Sequence, residues 1–181
     1  MKHTIRQITS SALLLALLIS LQWITKPLGQ LVTGSAVNTV LAISALTVGL
    51  NGAVFIALVS PVFAFLLGIA PQLVTVPAIM VGNSVLVSIL YLGRRKACLG
   101  RFTPVLFAAL AAVSKSLLLY VLVARIICGP ASEALLNRGL LKTPMLNLLP
   151  AMFSWPQLIT ALIGSYLASA LAPLIQKTTG R

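Results

Sequence analysis

Apolar residues in this chain come in runs of about twenty, separated by short clusters of Gly, Pro and basic residues. A membrane-spanning helix needs about 20 predominantly apolar residues. On that scale the pattern predicts an all-α bundle of six spanning helices in a single domain, residues 1–181. The first span runs from about Ile5 to Ile24 and ends at Lys26-Pro27-Leu28-Gly29. The apolar run is too long for a cleaved signal peptide, and no small-residue cleavage site precedes a soluble domain. The second span is expected from Ser35 to Leu50, a tight turn at Asn51-Gly52, and the third from Ala53 to Ile69. Pro71 breaks the chain before a fourth span from Leu73 to Leu92. The fifth runs from Pro104 to Ile127, a polar loop of some 20 residues follows, and the sixth runs from Pro150 to Ile175. Pro61, Pro77 and Pro156 are expected inside spans, where neighbouring groups must satisfy the freed carbonyls.

Composition removes the main competing classes. Hydrophobic residues make up 59% of the chain and charged residues only 8%. Too few polar side chains exist to cover a soluble globule. The net charge is +12, yet the basic residues are punctuation between apolar runs, which argues against nucleic-acid binding. They do orient the chain, because cytoplasmic loops carry excess Lys and Arg. With the N-terminus inside, the inner segments hold Lys2, Arg6, Arg94, Arg95, Lys96, Arg101, Lys177 and Arg181. The outer ones hold Lys26, Arg138 and Lys142, with Arg125 near the outer end of the fifth span. Both termini are then cytoplasmic, in a multi-pass protein of a prokaryotic plasma membrane.

The chemical inventory is sparse. Glu133 is the one acid and His3 the one histidine. No catalytic residue is assigned and an enzyme is not expected, since acid–base catalysis relies mostly on His, Glu, Asp, Lys, Tyr or Cys. No metal site and no cofactor are expected either. A proton-coupled pump normally uses an intramembrane carboxylate or His relay, and no nucleotide-binding motif is present. Cys98 and Cys128 fall on opposite sides of the membrane, so no disulfide is expected between them.

The polar residues inside the spans are the informative ones. Asn38 is expected about one turn below the outer surface, Asn83 and Lys115 near mid-depth, and Tyr120, Trp155 and Gln157 in the outer half. A charge at mid-bilayer costs about 2.5–3.5 kcal/mol on insertion scales, so Lys115 must face the bundle interior, a cavity or a partner. No acid lies in the spans to neutralise it. An anionic or carbonyl-bearing ligand can complete it, while bonds to Asn83 and helix carbonyls are the purely structural alternative. Ala108, Ala111 and Ala112 are small and are expected to leave room beneath it. Asn38, Asn83, Lys115, Tyr120, Trp155 and Gln157 are therefore the candidate substrate-binding residues. Separately, Ala12, Ala16 and Ser20 recur every four residues, a smooth face that lets another helix approach closely.

With Ala12-Leu13-Leu14-Leu15-Ala16 in its first span, Gly82-Asn83-Ser84 in the fourth and Ser154-Trp155-Pro156-Gln157-Leu158 opening the sixth, the chain resembles the substrate-binding S components of energy-coupling-factor (ECF) transporters. The resemblance covers essentially the whole chain. It implies a six-helix subunit that binds a vitamin or similar micronutrient in its outer half. It implies docking through Ala12 and Ala16, with Ser20 on the same face, onto a transmembrane coupling subunit driven by two cytoplasmic ATPase subunits. Lys115 favours a ligand with a carboxylate, phosphate or carbonyl. A self-sufficient secondary transporter or channel, and an assembly or scaffold protein without ligand, are the competing readings.

Overall fold

The computed structural model describes residues 2–70, 72–95 and 100–178. The expectations placed on Pro71, Lys96, Cys98 and Arg181 lie outside the described residues. The described chain is helical throughout. The long helices are α1 (Lys2–Thr25), α2 (Gln30–Thr47), α3 (Leu50–Leu66), α4 (Val76–Arg95), α5 (Thr103–Leu119) and α8 (Trp155–Thr178). Two short helices, α6 (Ser132–Asn137) and α7 (Met145–Met152), lie between α5 and α8.

Five segments are long and apolar enough to cross a membrane: Ile5–Leu28, Gln30–Thr47, Leu73–Arg95, Thr103–Ile127 and Met145–Ile175. These are compatible with a multi-pass membrane protein. The remaining apolar helix, α3, has 17 residues, about 25 Å at 1.5 Å per residue against a hydrocarbon core of about 30 Å. Large apolar side chains such as Leu13, Leu66, Leu110 and Leu174 are exposed around the bundle, as a lipid-facing surface requires.

Successive long helices run antiparallel. Gln7 donates through Nε2 to the carbonyl of Val48, tying the start of α1 to the α2–α3 turn. The Gly93 end of α4 sits against Phe107 near the start of α5. Lipid tails are as apolar as leucine, so close packing rather than water exclusion holds such helices together. Small residues supply it here. α2 packs most extensively on α8, and Gly34 and Gly164 form the contact. A Cβ on Gly164 would lie 2.5 Å from Asn38 Cβ, and one on Gly34 would lie 2.9 Å from Thr160 Cγ2.

Several boundaries differ from the sequence reading. The turn between the second and third helices lies at Val48-Gly49, and Gly49 takes a φ of 110° that only glycine adopts readily. Asn51 and Gly52 are in the first turns of α3 instead, where Gly52 admits Ser11 of α1 to close contact. The second helix starts five residues earlier than Ser35, at Gln30. Only Pro61 of the three expected interior prolines sits well inside a helix; Pro77 and Pro156 are second residues of α4 and α8. In the first turn the missing N–H is an orphan anyway. Pro150 lies in α7, so the last long helix begins at Trp155 rather than at Pro150.

The expected polar loop is a folded cap. Leu141, Leu149 and Phe153 are buried with Ala78, Leu119 and Val123 in an apolar cluster of their own. Beneath this cap, α5 continues as a π-helical stretch, Tyr120–Ile127. Such wide turns are rare beyond a single turn and are found mostly at functional sites.

Candidate functional site

Lys115 lies twelve residues into α5, Asn38 eight residues into α2 and Asn83 seven residues into α4. At 1.5 Å per residue, Asn38 and Asn83 both sit about 10–12 Å from the starts of their helices. Asn38 is thus deeper than the expected single turn, and that extra depth brings it level with Lys115. Lys115 Nζ donates to Asn38 Oδ1 at 2.5 Å and to Asn83 Oδ1 at 2.7 Å. All three side chains are buried, 2–3% exposed. Asn38 Nδ2 in turn donates to Thr160 Oγ1 at 3.3 Å, and Thr160 Oγ1 donates to the Gln157 carbonyl at 3.2 Å. Gly164 fixes Asn38 from the α8 side, since the backbones meet there without an intervening Cβ.

An ammonium has three donors and no acceptor. Two are taken by the amide oxygens. The third has no carboxylate to meet, because Glu133 is exposed on α6 and is the chain's only acid. The amide orientations follow from the same chemistry: a donor-only group forces both Oδ1 atoms toward itself. This leaves the Nδ2 donors of Asn83 for the space in front of it.

That space is a cavity of about 270 Å³. Lys115, Asn38 and Asn83 form its deep end. Gln22 from α1, Ser60 and Pro61 from α3, and Gln157 from α8 line its walls. Lys26, Gln30, Met152 and Phe153 stand at its mouth. The mouth is held by two side chains reaching across helices. Lys26 donates to the Leu67 carbonyl at 3.0 Å while its ammonium lies 5.7 Å from the Trp23 ring centre. Gln30 donates to the Met152 carbonyl at 2.7 Å, tying α2 to the cap.

No protein-family model, curated protein or solved structure matches this chain.

Of the six candidate binding residues, the structure brings together Asn38, Asn83, Lys115 and Gln157. It does not bring in Tyr120 and Trp155. These are 38% and 61% exposed and line a separate shallow groove on the outside of α5 and α8. Helical geometry is the reason. Two residues turn an α-helix by about 200°, so Trp155 and Gln157 face opposite ways. Five residues carry Tyr120 about 140° round from Lys115. Ala108, Ala111 and Ala112 leave no room beneath Lys115; they are fully buried in the core and admit close helix packing. The cavity opens on the cap side instead.

Sequence reasoning missed Gln22, Lys26, Gln30, Ser60 and Thr160 as parts of the site. A signal existed for Gln22: Ser11, Leu18 and Gln22 share one helix stripe, and that stripe is the buried face of α1. Ala12, Ala16 and Ser20 lie on the exposed side of α1, and among the described residues no element packs over them. Cys128, just beyond the spanning part of α5, has its thiol pushed up from the ordinary value by burial, the reverse of what an activated nucleophile needs. Among the described residues no three His, Cys, Asp or Glu side chains cluster as metal ligands.

Proposed function

We propose that this chain is the substrate-binding membrane subunit of an ECF-type importer of a vitamin or similar micronutrient. In this reading it crosses the plasma membrane of a prokaryote six times, with α3 as the short third span and both termini in the cytoplasm. The observation that carries it is Lys115, held between two asparagine oxygens at the deep end of a cavity of about 270 Å³ with no carboxylate to neutralise it. Groups arranged to receive an absent acceptor, in a cavity otherwise lined largely by apolar atoms, are the usual make-up of a small-molecule site.

The orientation is supported by charge. The end of the bundle that holds the start of α1 and the end of α4 carries Arg6, Arg94, Arg95 and Lys177. Lys2 in α1 and Arg101, just before α5, belong to that same end, whereas the cavity end carries Lys26, Arg125, Arg138 and Lys142. The excess favours a cytoplasmic N-terminus, and the cavity then opens outward. The ligand is a small molecule with a carboxylate, phosphate or carbonyl facing Lys115.

Transport energy has no evident source in the sequence, which holds no nucleotide motif. A coupling subunit and two ATPase subunits supply it in this reading. The exposed small-residue face at Ala12, Ala16 and Ser20 is suited to close approach by a helix of the coupling subunit. Reconstitution in liposomes tests the assignment. Uptake requires the coupling and ATPase subunits together with ATP. Flux through this chain alone under an ion gradient would instead make it a self-sufficient transporter.

A further inference from the structure

Gln22 and Ser60 each bring a buried oxygen to the cavity lining that no hydrogen bond among the described residues completes. Gln22 on α1 is 4% exposed and Ser60 on α3 is fully buried. Among the described residues neither Gln22 Oε1 nor Ser60 Oγ has a hydrogen-bond partner. Leaving a buried polar group unpaired costs about 1–3 kcal/mol, so such groups call for an explanation.

Two other buried hydroxyls, Ser116 and Ser165, are also unpartnered, and neither lines this cavity. A helical serine finds relief by rotating toward the carbonyl four residues back. Gln22 Oε1 has no such escape. An amide oxygen only accepts, and the N–H groups of a helix interior are already committed to its backbone ladder. The donor that it lacks among the described residues can reach it through the cavity it lines.

The two ends of the cavity therefore make opposite demands. Lys115, on α5 against α4 and α8, needs an acceptor. Gln22, on α1, needs a donor. We propose that the occupant is a small organic anion that also carries an N–H or O–H group. Its anionic oxygen meets Lys115, and its donor is received by Gln22 Oε1. This rests on the binding reading above and narrows it. An inorganic anion or a simple fatty acid satisfies only the Lys115 end. A cation or a neutral hydrocarbon satisfies neither.

The test uses purified full-length protein in detergent, exposed to the water-soluble metabolite extract of yeast, washed, and analysed by mass spectrometry of whatever is released. Wild type, Gln22→Met, Ser60→Ala and Lys115→Met are compared, with Lys177→Met as a surface control. The retained molecule is expected to ionise as an anion and to exchange at least one further proton in D2O. Gln22→Met is expected to retain about tenfold less, the loss of one hydrogen bond worth about 1.4 kcal/mol. The same variant should melt at a higher temperature when empty, because an apolar side chain of similar shape removes an unpaired buried oxygen. A retained molecule that is not an anion, or that has no donor, overturns the proposal. So does a Gln22→Met protein that retains as much as wild type. Wild type retaining nothing beyond what Lys115→Met retains overturns the binding reading itself, and the proposal with it.

Discussion

Lys115 of α5 donates to Asn83 of α4 at 2.7 Å, with both side chains buried and no carboxylate beside them. The pairing gives the ammonium one acceptor without neutralising it. Asn83→Asp supplies the missing charge with almost no change in shape. The variant is expected to fold at least as stably as wild type, since a buried charge gains a partner. It is expected to lose an anionic ligand by about a hundredfold or more, because the carboxylate occupies the role of the ligand. Isothermal calorimetry with the molecule retained by wild type checks the binding, and a melting curve checks the fold.

Gly164 sets the position of Asn38. An alanine Cβ there would lie 2.5 Å from Asn38 Cβ and 2.7 Å from its backbone carbonyl carbon. Gly164→Ala must therefore part α2 from α8. A loss of about 1–3 kcal/mol in stability is expected, with weaker ligand binding because Asn38 moves away from Lys115. Binding unchanged in a folded Gly164→Ala protein would mean that Asn38 has no part in the site.

The α2–α3 turn makes a separate claim. Gly49 holds φ at 110°, a region costly for any residue with a Cβ. Gly49→Ala is expected to destabilise the protein by about 1 kcal/mol or more, whereas Asn51→Ala, at an exposed position in the first turn of α3, should be close to neutral. Comparison of their melting temperatures checks this directly.

That turn also shows what the sequence could and could not disclose. Asn-Gly is a strong turn signal, and reading it so places the turn three residues too far along the chain. The conformation falls on Gly49, while Gly52 serves a close contact with Ser11 that only the packed structure reveals. The long helices were legible because each is a run of apolar residues ended by Pro, Gly or Arg. The cap was not. α6 and α7 have six and eight residues, too short for a helical period to emerge, and their leucines stand among Asn, Arg and Lys. Within the site, depth was legible from helix ends, so Lys115 and Asn83 were found. Facing was not used: Tyr120 and Trp155 share the depth of the cavity but lie on the outside of the bundle.

The exposed face of α1 gives a prediction in which binding and transport separate. Replacing Ala12 and Ala16 together by Leu adds bulk where no described element packs. Ligand retention by the purified double variant should equal that of wild type, and uptake by cells carrying it should be abolished. Normal uptake would sink the docking assignment.

The mouth of the cavity yields a kinetic expectation. Gln30 ties α2 to the cap through the Met152 carbonyl. Gln30→Leu removes that tie at the rim and leaves Lys115, Asn38 and Asn83 in place. Ligand dissociation is expected to be several-fold faster with the association rate little changed, the usual partition for a lost contact. Stopped-flow displacement measures both rates.

The central claim is that the space in front of Lys115 holds a small molecule. Native mass spectrometry of the purified protein, released from detergent in the instrument, tests it most directly. Wild type is expected to carry an added mass of a few hundred daltons or less that is stripped at raised collision energy, and Asn83→Asp is expected to fly bare. The same added mass on both proteins, or on neither after exposure to a metabolite extract, would contradict it.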